Sequence, residues 1–232
     1  MWKKIVCVGS LSLVAALLLL PVSAKATTVV YTDQASFLSV LQTPYYLQQN
    51  FSGTNNDPPS INESGSGYSY TVSTIFPASN TGGLYFVPGG GLQPYEPNDI
   101  LKIKFTSANV TAVGGFFMPE NEFGGIPQNL SGKNVGGSIT FTLSDGTIYT
   151  TPVSTSPIFV GFATTNGPAF TSLLIQTVTP DPYNNGNMQQ VQYPTMNQLY
   201  VGADPVPEPS SLILVGTGLV GIGFYARHRR KK

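Results

Sequence analysis

Residues 138–148 read SITFTLSDGTI, and this stretch decides the prediction of the fold. Ile139, Phe141 and Leu143 alternate with small hydroxyl residues, which is the period of two that a half-buried strand requires. An Asp-Gly pair follows, as is typical of tight hairpin turns, and an isoleucine opens the returning segment. The stretch therefore predicts an antiparallel hairpin with one face in a core.

Similar short segments lie on both sides of this hairpin. One strand is expected at residues 28–32. Further strands are predicted at residues 68–76, 84–87, 100–106, 110–117, 138–143, 147–153, 158–163, 170–178, 189–193 and 198–202. Many short strands with frequent turns indicate an all-β fold, a β-sandwich or jelly-roll-like core. We place this core at residues 27–203.

One short helix and several loops interrupt the strands. Asp33 is expected to cap a helix that carries Phe37, Leu38 and Leu41 on one side, at helical spacing. The segments predicted as long polar loops are residues 52–67 and 180–188, and the one predicted as a flexible turn is 89–91. Residues 203–209 hold three prolines and are expected to form a semi-rigid stalk.

Charge within the core argues against binding to nucleic acid. Between Thr27 and Val206 there are three lysines and ten acidic residues, a balance of −7. Such a surface repels phosphate, so nucleic acid is not an expected partner. The acids are expected to be solvated, although they could attract cations.

The few cysteines and histidines exclude several kinds of chemistry. The single cysteine, Cys7, precedes the core, so the core can form no disulfide. The single histidine, His228, lies in the C-terminal tail. A Ser-His-Asp triad, a Cys-His pair and a zinc site with these ligands are therefore excluded in the core.

The first 26 residues have the three parts of a secretory signal peptide. Two lysines precede an apolar stretch over residues 5–20, which Pro21 ends. Ala24 and Ala26 then supply the small residues that signal peptidase requires, which predicts cleavage before Thr27.

The C-terminal end has three parts of its own. The segment Val206, Pro207, Glu208, Pro209 and Ser210 leads into an apolar run that we predict as a transmembrane helix at about residues 210–226. Residues 212–226 span roughly 22 Å, a marginal length for a membrane. The positive residues expected to stop transfer and stay in the cytoplasm are Arg227, Arg229, Arg230, Lys231 and Lys232. The core would then lie outside the cytoplasm.

This arrangement of Pro-Glu-Pro, a short Gly-rich apolar run and a basic end resembles the PEP-CTERM sorting signal. The resemblance implies an exported bacterial protein, processed by an exosortase after a transient stage in the inner membrane. It also implies an organism that makes extracellular polysaccharide, and a final location at the cell surface or in the medium. The alternative is an ordinary tail anchor.

The core resembles, more weakly, a class of proteins that bear such tails. The segments that carry this likeness are residues 31–38 (YTDQASFL), 50–53 (NFSG), 113–116 (VGGF), 142–146 (TLSDG) and 159–162 (FVGF). The resemblance implies a β-sandwich of the kind used by carbohydrate-binding modules.

Candidate ligand contacts in the core are acids and rings near polar loops. Glu120 and Glu122 flank one asparagine after a predicted strand, and Glu96 and Asp99 lie in another loop. Such acids could be solvated, hold calcium or act as a glycosidase pair, and we favour the first. The tyrosines expected at the surface, where rings can stack on sugars, are Tyr68, Tyr95 and Tyr183.

The leading hypothesis is a non-enzymatic surface or matrix protein whose β-sandwich associates with extracellular polysaccharide. No catalytic residue, metal or cofactor is assigned. The alternatives are a secreted polysaccharide hydrolase that uses loop carboxylates and a structural matrix component with no discrete ligand.

Overall fold

A computed structural model describes residues 27–53, 58–75, 82–97, 99–121, 136–165, 167–178, 192–204 and 218. The predicted signal peptide, the predicted loop at 180–188 and, apart from residue 218, the C-terminal sorting segment lie outside these residues. Among the residues described, no helix is long and apolar enough to cross a membrane.

The described residues form thirteen strands and one short helix. The strands are β1 (Thr27–Tyr31), β2 (Tyr46–Gln48), β3 (Ser60–Gly65), β4 (Tyr68–Ile75), β5 (Leu84–Val87), β6 (Gly91–Pro94), β7 (Ile100–Phe105), β8 (Ala112–Glu120), β9 (Ser138–Leu143), β10 (Ile148–Pro152), β11 (Ile158–Thr165), β12 (Ser172–Val178) and β13 (Tyr193–Gly202). The helix, α1, spans Gln34–Leu38.

The strands make two antiparallel sheets. The seven-stranded sheet has the order β1-β11-β8-β13-β6-β5, and β2 adds to β13 beside this path. The six-stranded sheet has the order β10-β9-β12-β7-β4-β3. The chain thus adopts the all-β, sandwich-like fold with one short helix that the alternating pattern predicts.

The main core lies between the two sheets. Phe141 of β9 in one sheet packs at 4.9 Å, centroid to centroid, on Phe117 of β8 in the other. The hairpin predicted from residues 138–148 is present: β9 pairs with β10, and the Asp145-Gly146 turn connects the two strands. Its alternating residues Ile139, Phe141 and Leu143 are all buried, as expected of an inward face.

A second apolar cluster covers the outer face of the seven-stranded sheet, meaning the face turned away from the other sheet. Phe37 of α1 is fully buried there, at 5.5 Å from the Phe159 ring and 6.4 Å from the Tyr200 ring. Asp33 caps α1 as predicted, since its carboxylate accepts the Ser36 amide at 2.8 Å. The helix therefore closes one end of this face.

Most predicted strands are confirmed with bounds shifted by one to three residues, and three predictions are corrected. Residues 60–65, predicted as part of a polar loop, form β3 because they pair along their full length with β4. Gly91, predicted in a flexible turn, begins β6. Tyr193, the last residue of the segment predicted at 189–193, and the segment predicted at 198–202 belong to a single β13, which continues through a register shift between Met196 and Gln198, whereas residues 189–191 lie outside the described residues.

The C-terminal boundary of the core is fixed by hydrogen bonds. The Ala203 carbonyl accepts the Gln42 amide at 2.8 Å, and the Asp204 amide donates to the Thr111 hydroxyl at 2.8 Å. Asp204 also accepts a hydrogen bond from Thr165. The first two residues of the predicted stalk are therefore attached to the sandwich.

Candidate functional site

The structure describes three of the residues that we predicted to contact a ligand: Tyr68, Tyr95 and Glu120. Glu122 and Tyr183 lie outside the described residues, as do Ala24 and Ala26 of the predicted cleavage site. The same holds for the sorting segment from Val206 to Ser210 and for the basic residues from Arg227 to Lys232.

Tyr68 does not occupy the surface position predicted for it. Its side chain is only 6% exposed and belongs to the main core. The reason is that the residues before it form β3, which pairs with β4, rather than a polar loop, and that Tyr68, Tyr70 and Val72 alternate inward along β4. The ring is therefore a packing residue.

Tyr95, in contrast, is 49% exposed, one of the few large apolar side chains of the described residues that reach solvent. It follows β6 directly, and its amide donates to the Gly83 carbonyl at 2.9 Å, which prolongs the pairing of β6 with β5. Tyr95 lies two residues after Gln93, and strand residues two apart share a face.

Gln93 belongs to the outer face of the seven-stranded sheet. Its neighbour Leu92 points into the main core, so Gln93 points the other way. Thr195 of β13 shares this orientation because Met196 beside it is also a core residue. The Thr195 hydroxyl donates to Gln93 Oε1 at 2.8 Å, and both side chains are buried.

Glu120 ends β8 on the same face. It lies directly opposite Tyr193 of β13, two residues from Thr195. The carboxyl group shares a hydrogen bond with the Thr195 hydroxyl, while Oε2 is buried without a hydrogen-bond partner. Because β6, β13 and β8 are neighbours, we call Tyr95, Gln93, Thr195 and Glu120 together the polar end of the outer face.

Burial controls the electrostatics of this polar end. Desolvation raises the pKa of Glu120 to about 7, and the hydrogen bond from Thr195 offsets part of the effect. The Thr195 hydroxyl has one proton to donate, so Gln93 Oε1 and the Glu120 carboxyl group share a single donor.

A second acidic pair lies nearby in sequence, in the loop after β6. Asp99 is buried, and its pKa is raised to about 6, first by desolvation and second by the negative charge of Glu96. The Asp99 amide donates to the Glu96 carbonyl at 3.2 Å. The described residues contain no group of three or more Asp, Glu, His and Cys side chains able to hold a metal ion.

Gln93 and Thr195 were missed by the reading of the sequence. Each lies next to a proline in a short segment, and nothing in either segment marks it as a site. Their neighbourhood depends on the pairing of β13 with β6, across 102 residues of sequence. Only the register of the sheet brings them together.

Comparison with known proteins bears on the C-terminal end of the chain. Residues 205–231 match the family model of the PEP-CTERM protein-sorting motif. No curated protein matches the sequence. The chain thus ends in a PEP-CTERM sorting signal, which marks it as an exosortase substrate, exported and associated with the cell surface.

Proposed function

We propose that this protein is a non-catalytic surface or matrix module that associates with extracellular polysaccharide after an exosortase has processed its tail. The sorting motif at residues 205–231 is the observation that carries this proposal. The sandwich supplies the folded part that remains after processing.

The polar end of the outer face supports a role in binding a neutral, hydroxyl-rich ligand. Tyr95 offers an exposed ring of the type that stacks on sugars, and it stands at the edge of buried hydrogen-bonding groups. The two lysines among the described residues, Lys102 and Lys104, lie on β7 in the other sheet. The polar end thus has no cation suited to an anionic ligand among the described residues.

The processing step follows from the physical character of the tail. Pro207 and Pro209 fix their φ angles and lack amide donors, so we expect Pro207-Glu208-Pro209 to be extended, as a protease cleft requires. We expect residues 210–226 to form the transmembrane helix of the intermediate and the basic residues that follow to hold its end in the cytoplasm. The exosortase then releases or transfers the core.

Replacement of Pro207, Glu208 and Pro209 by alanine tests this step. Helix can then spread upstream, so the full-length protein should accumulate in the inner membrane of cells that hold an exosortase. Neutralising the five basic residues is the matched comparison, since it should weaken topology and let unprocessed protein reach the outside. Normal processing of the alanine variant would instead identify an ordinary tail anchor.

Binding to polysaccharide is tested with the exported protein on a glycan array and on the polysaccharide of its own organism. Binding that Tyr95→Ala weakens at least tenfold would support the proposal. Absence of binding to every glycan would favour the structural matrix component.

The second candidate function is a polysaccharide hydrolase. It is favoured by one observation, the raised pKa of the buried Glu120, since a general acid must hold its proton near neutral pH. Release of sugar from the native polysaccharide, lost in both Glu120→Gln and Glu122→Gln, would establish this alternative in place of the first.

A further inference from the structure

Apart from the three-residue β2, which pairs only with β13, four strands end the two sheets, and three of these four are protected against pairing with another chain. Edge strands expose unpaired backbone groups and are usually blunted by charge, proline or a covering segment. β3 carries Glu63 at its centre, and β10 ends in Pro152. The outer side of β5 is met by the Pro58 carbonyl, which accepts the Leu84 amide at 2.9 Å.

The fourth edge, β1, has none of these devices. Its sequence is TTVVY, without charge or proline, and its register with β11 runs unbroken over all five residues. Val29 at its centre is 45% exposed. Within the part of the chain that is described, no strand pairs with the outer side of β1.

We propose that the exported protein forms a two-fold dimer in which β1 pairs antiparallel with β1 of a second copy, with Val29 opposite Val29. The two seven-stranded sheets then join into one continuous sheet. This dimer goes beyond the proposed function, because it depends on neither a polysaccharide ligand nor the exosortase.

The sequence of β1 fits itself in this register. With Val29 on the two-fold axis, Thr28 lies opposite Val30 of the second copy, and Thr27 lies opposite Tyr31. Each exposed valine is then covered by its own equivalent, and β-branched pairs across strands stabilise such ladders. An isologous contact of this kind closes on itself after two copies.

Charge at the two ends of β1 favours the same register. The predicted cleavage before Thr27 would leave an ammonium group at the start of the strand. Asp33, an exposed carboxylate two residues beyond Tyr31, lies at the other end. Antiparallel pairing brings the start of one strand beside the end of the other, so the opposite charges of the two copies approach each other.

Two further features prepare this edge for pairing. The Thr28 hydroxyl donates to Asp145 Oδ2 at 2.5 Å, which ties β1 to the turn between β9 and β10 of the other sheet. The strand is therefore ordered before it meets a partner. The 26 residues of the predicted leader directly precede Thr27, so their cleavage would make β1 the N-terminal segment of the exported protein.

Single-cysteine variants provide the direct test, since Cys7 is the only cysteine and is removed with the leader. In the exported protein, Val29→Cys should form an intermolecular disulfide under mild oxidation, because directly opposed residues are about 5 Å apart. Thr27→Cys is the matched control. Its two copies would be about 13 Å apart in this register, beyond disulfide reach.

Sedimentation of the cysteine-free exported protein supplies the second measurement. We expect a dimer that Val29→Lys weakens at least tenfold while its circular dichroism stays unchanged. Ile148→Lys, which alters the exposed isoleucine of β10, should leave the dimer intact. A monomeric exported protein, equal crosslinking at positions 27 and 29, or a dimer lost only in Ile148→Lys would overturn the proposal.

Discussion

The two ends of the outer face of the seven-stranded sheet share strands β8 and β13 but are buried in opposite ways. At one end, α1 places Phe37 against Phe159 and Tyr200 in an apolar, aromatic cluster. At the other, Glu120, Gln93 and Thr195 are equally inaccessible but polar, and Glu120 Oε2 has no hydrogen-bond partner. The helical end is thus held by packing, whereas the polar end buries a carboxyl group whose pKa is raised to about 7.

Packing explains the residue types at the helical end of this face but not the carboxylate at the polar end. Glycines at positions 114 and 161 let Phe37 lie directly on the sheet, since a Cβ at Gly161 would stand 2.6 Å from the Phe37 ring. No comparable fit explains a carboxylate at position 120.

Removal of the Phe37 ring should have the largest effect. Phe37→Ala leaves a cavity under α1 and should lower the free energy of unfolding by about 3–5 kcal/mol. Denaturant unfolding of the exported protein measures this. Tyr95→Ala, at the polar end, is the control and should cost much less because half of that ring is already exposed. Equal losses would remove the distinction between the two ends.

The proton on Glu120 should produce the next largest effect. Because burial raises its folded pKa above the unfolded value of 4.5, its contribution to stability is complete below pH 4.5 and is lost as the pH rises through about 7. Ionisation should cost about 3 kcal/mol by pH 9. Glu120→Gln should match the original protein at pH 4 and exceed it in stability at pH 9.

Unfolding measured across this pH range checks the prediction for Glu120. Glu96→Gln is the control for the loss of one acidic side chain: it removes a charge that raises the pKa of Asp99, but it should retain the decline above pH 6. Asp99, whose pKa is raised to about 6, contributes a decline of the same sign over pH 4–6. A decline above pH 6 that persists unchanged in Glu120→Gln would contradict the assignment.

Gly161→Ala tests the close approach of the helix to the sheet. The added methyl group would lie 2.6 Å from Phe37 and 3.1 Å from Phe159, so we expect a loss of about 1–3 kcal/mol. Gly136→Ala meets nothing within 4 Å and should be nearly neutral. In a double-mutant cycle, Gly161→Ala should cost much less once Phe37 is alanine. If the two losses of stability were additive, the strain caused by the methyl group at position 161 would not arise from contact with Phe37.

The cap of α1 should give the smallest effect. Asp33→Ala removes the acceptor for the Ser36 amide and should lower the thermal midpoint slightly, whereas Asp33→Asn should preserve it. The hydrogen bonds with Ser36 lower the pKa of Asp33, so the benefit should be present at neutral pH and fade in acid. If Asp33→Ala had the same thermal midpoint as the original protein, packing alone would be enough to stabilise α1.

The sequence predicted those parts of the fold that depend on neighbours along the chain. The alternation at 138–148 gave the hairpin of β9 and β10, and the spacing after Asp33 gave α1. It did not predict β3, because the strand SINESG is polar throughout and exists through its pairing with β4. It also placed Tyr68 at the surface, because this residue directly follows the stretch that was expected to be a polar loop.

By itself, the sequence determined that the protein is exported and associated with the cell surface. The sorting motif at residues 205–231 is a continuous segment, so it can be identified from the order of its residues alone. The sequence also determined the all-β class, which follows from local alternation. Only the tertiary structure decided that Gln93, Thr195 and Glu120 share one end of one sheet face, with Tyr95 directly after β6, and that β1 ends its sheet among the described residues. The physical reason is that strand order and register are set by contacts between segments as much as 100 residues apart, as in the hydrogen bond from Thr195 to Gln93.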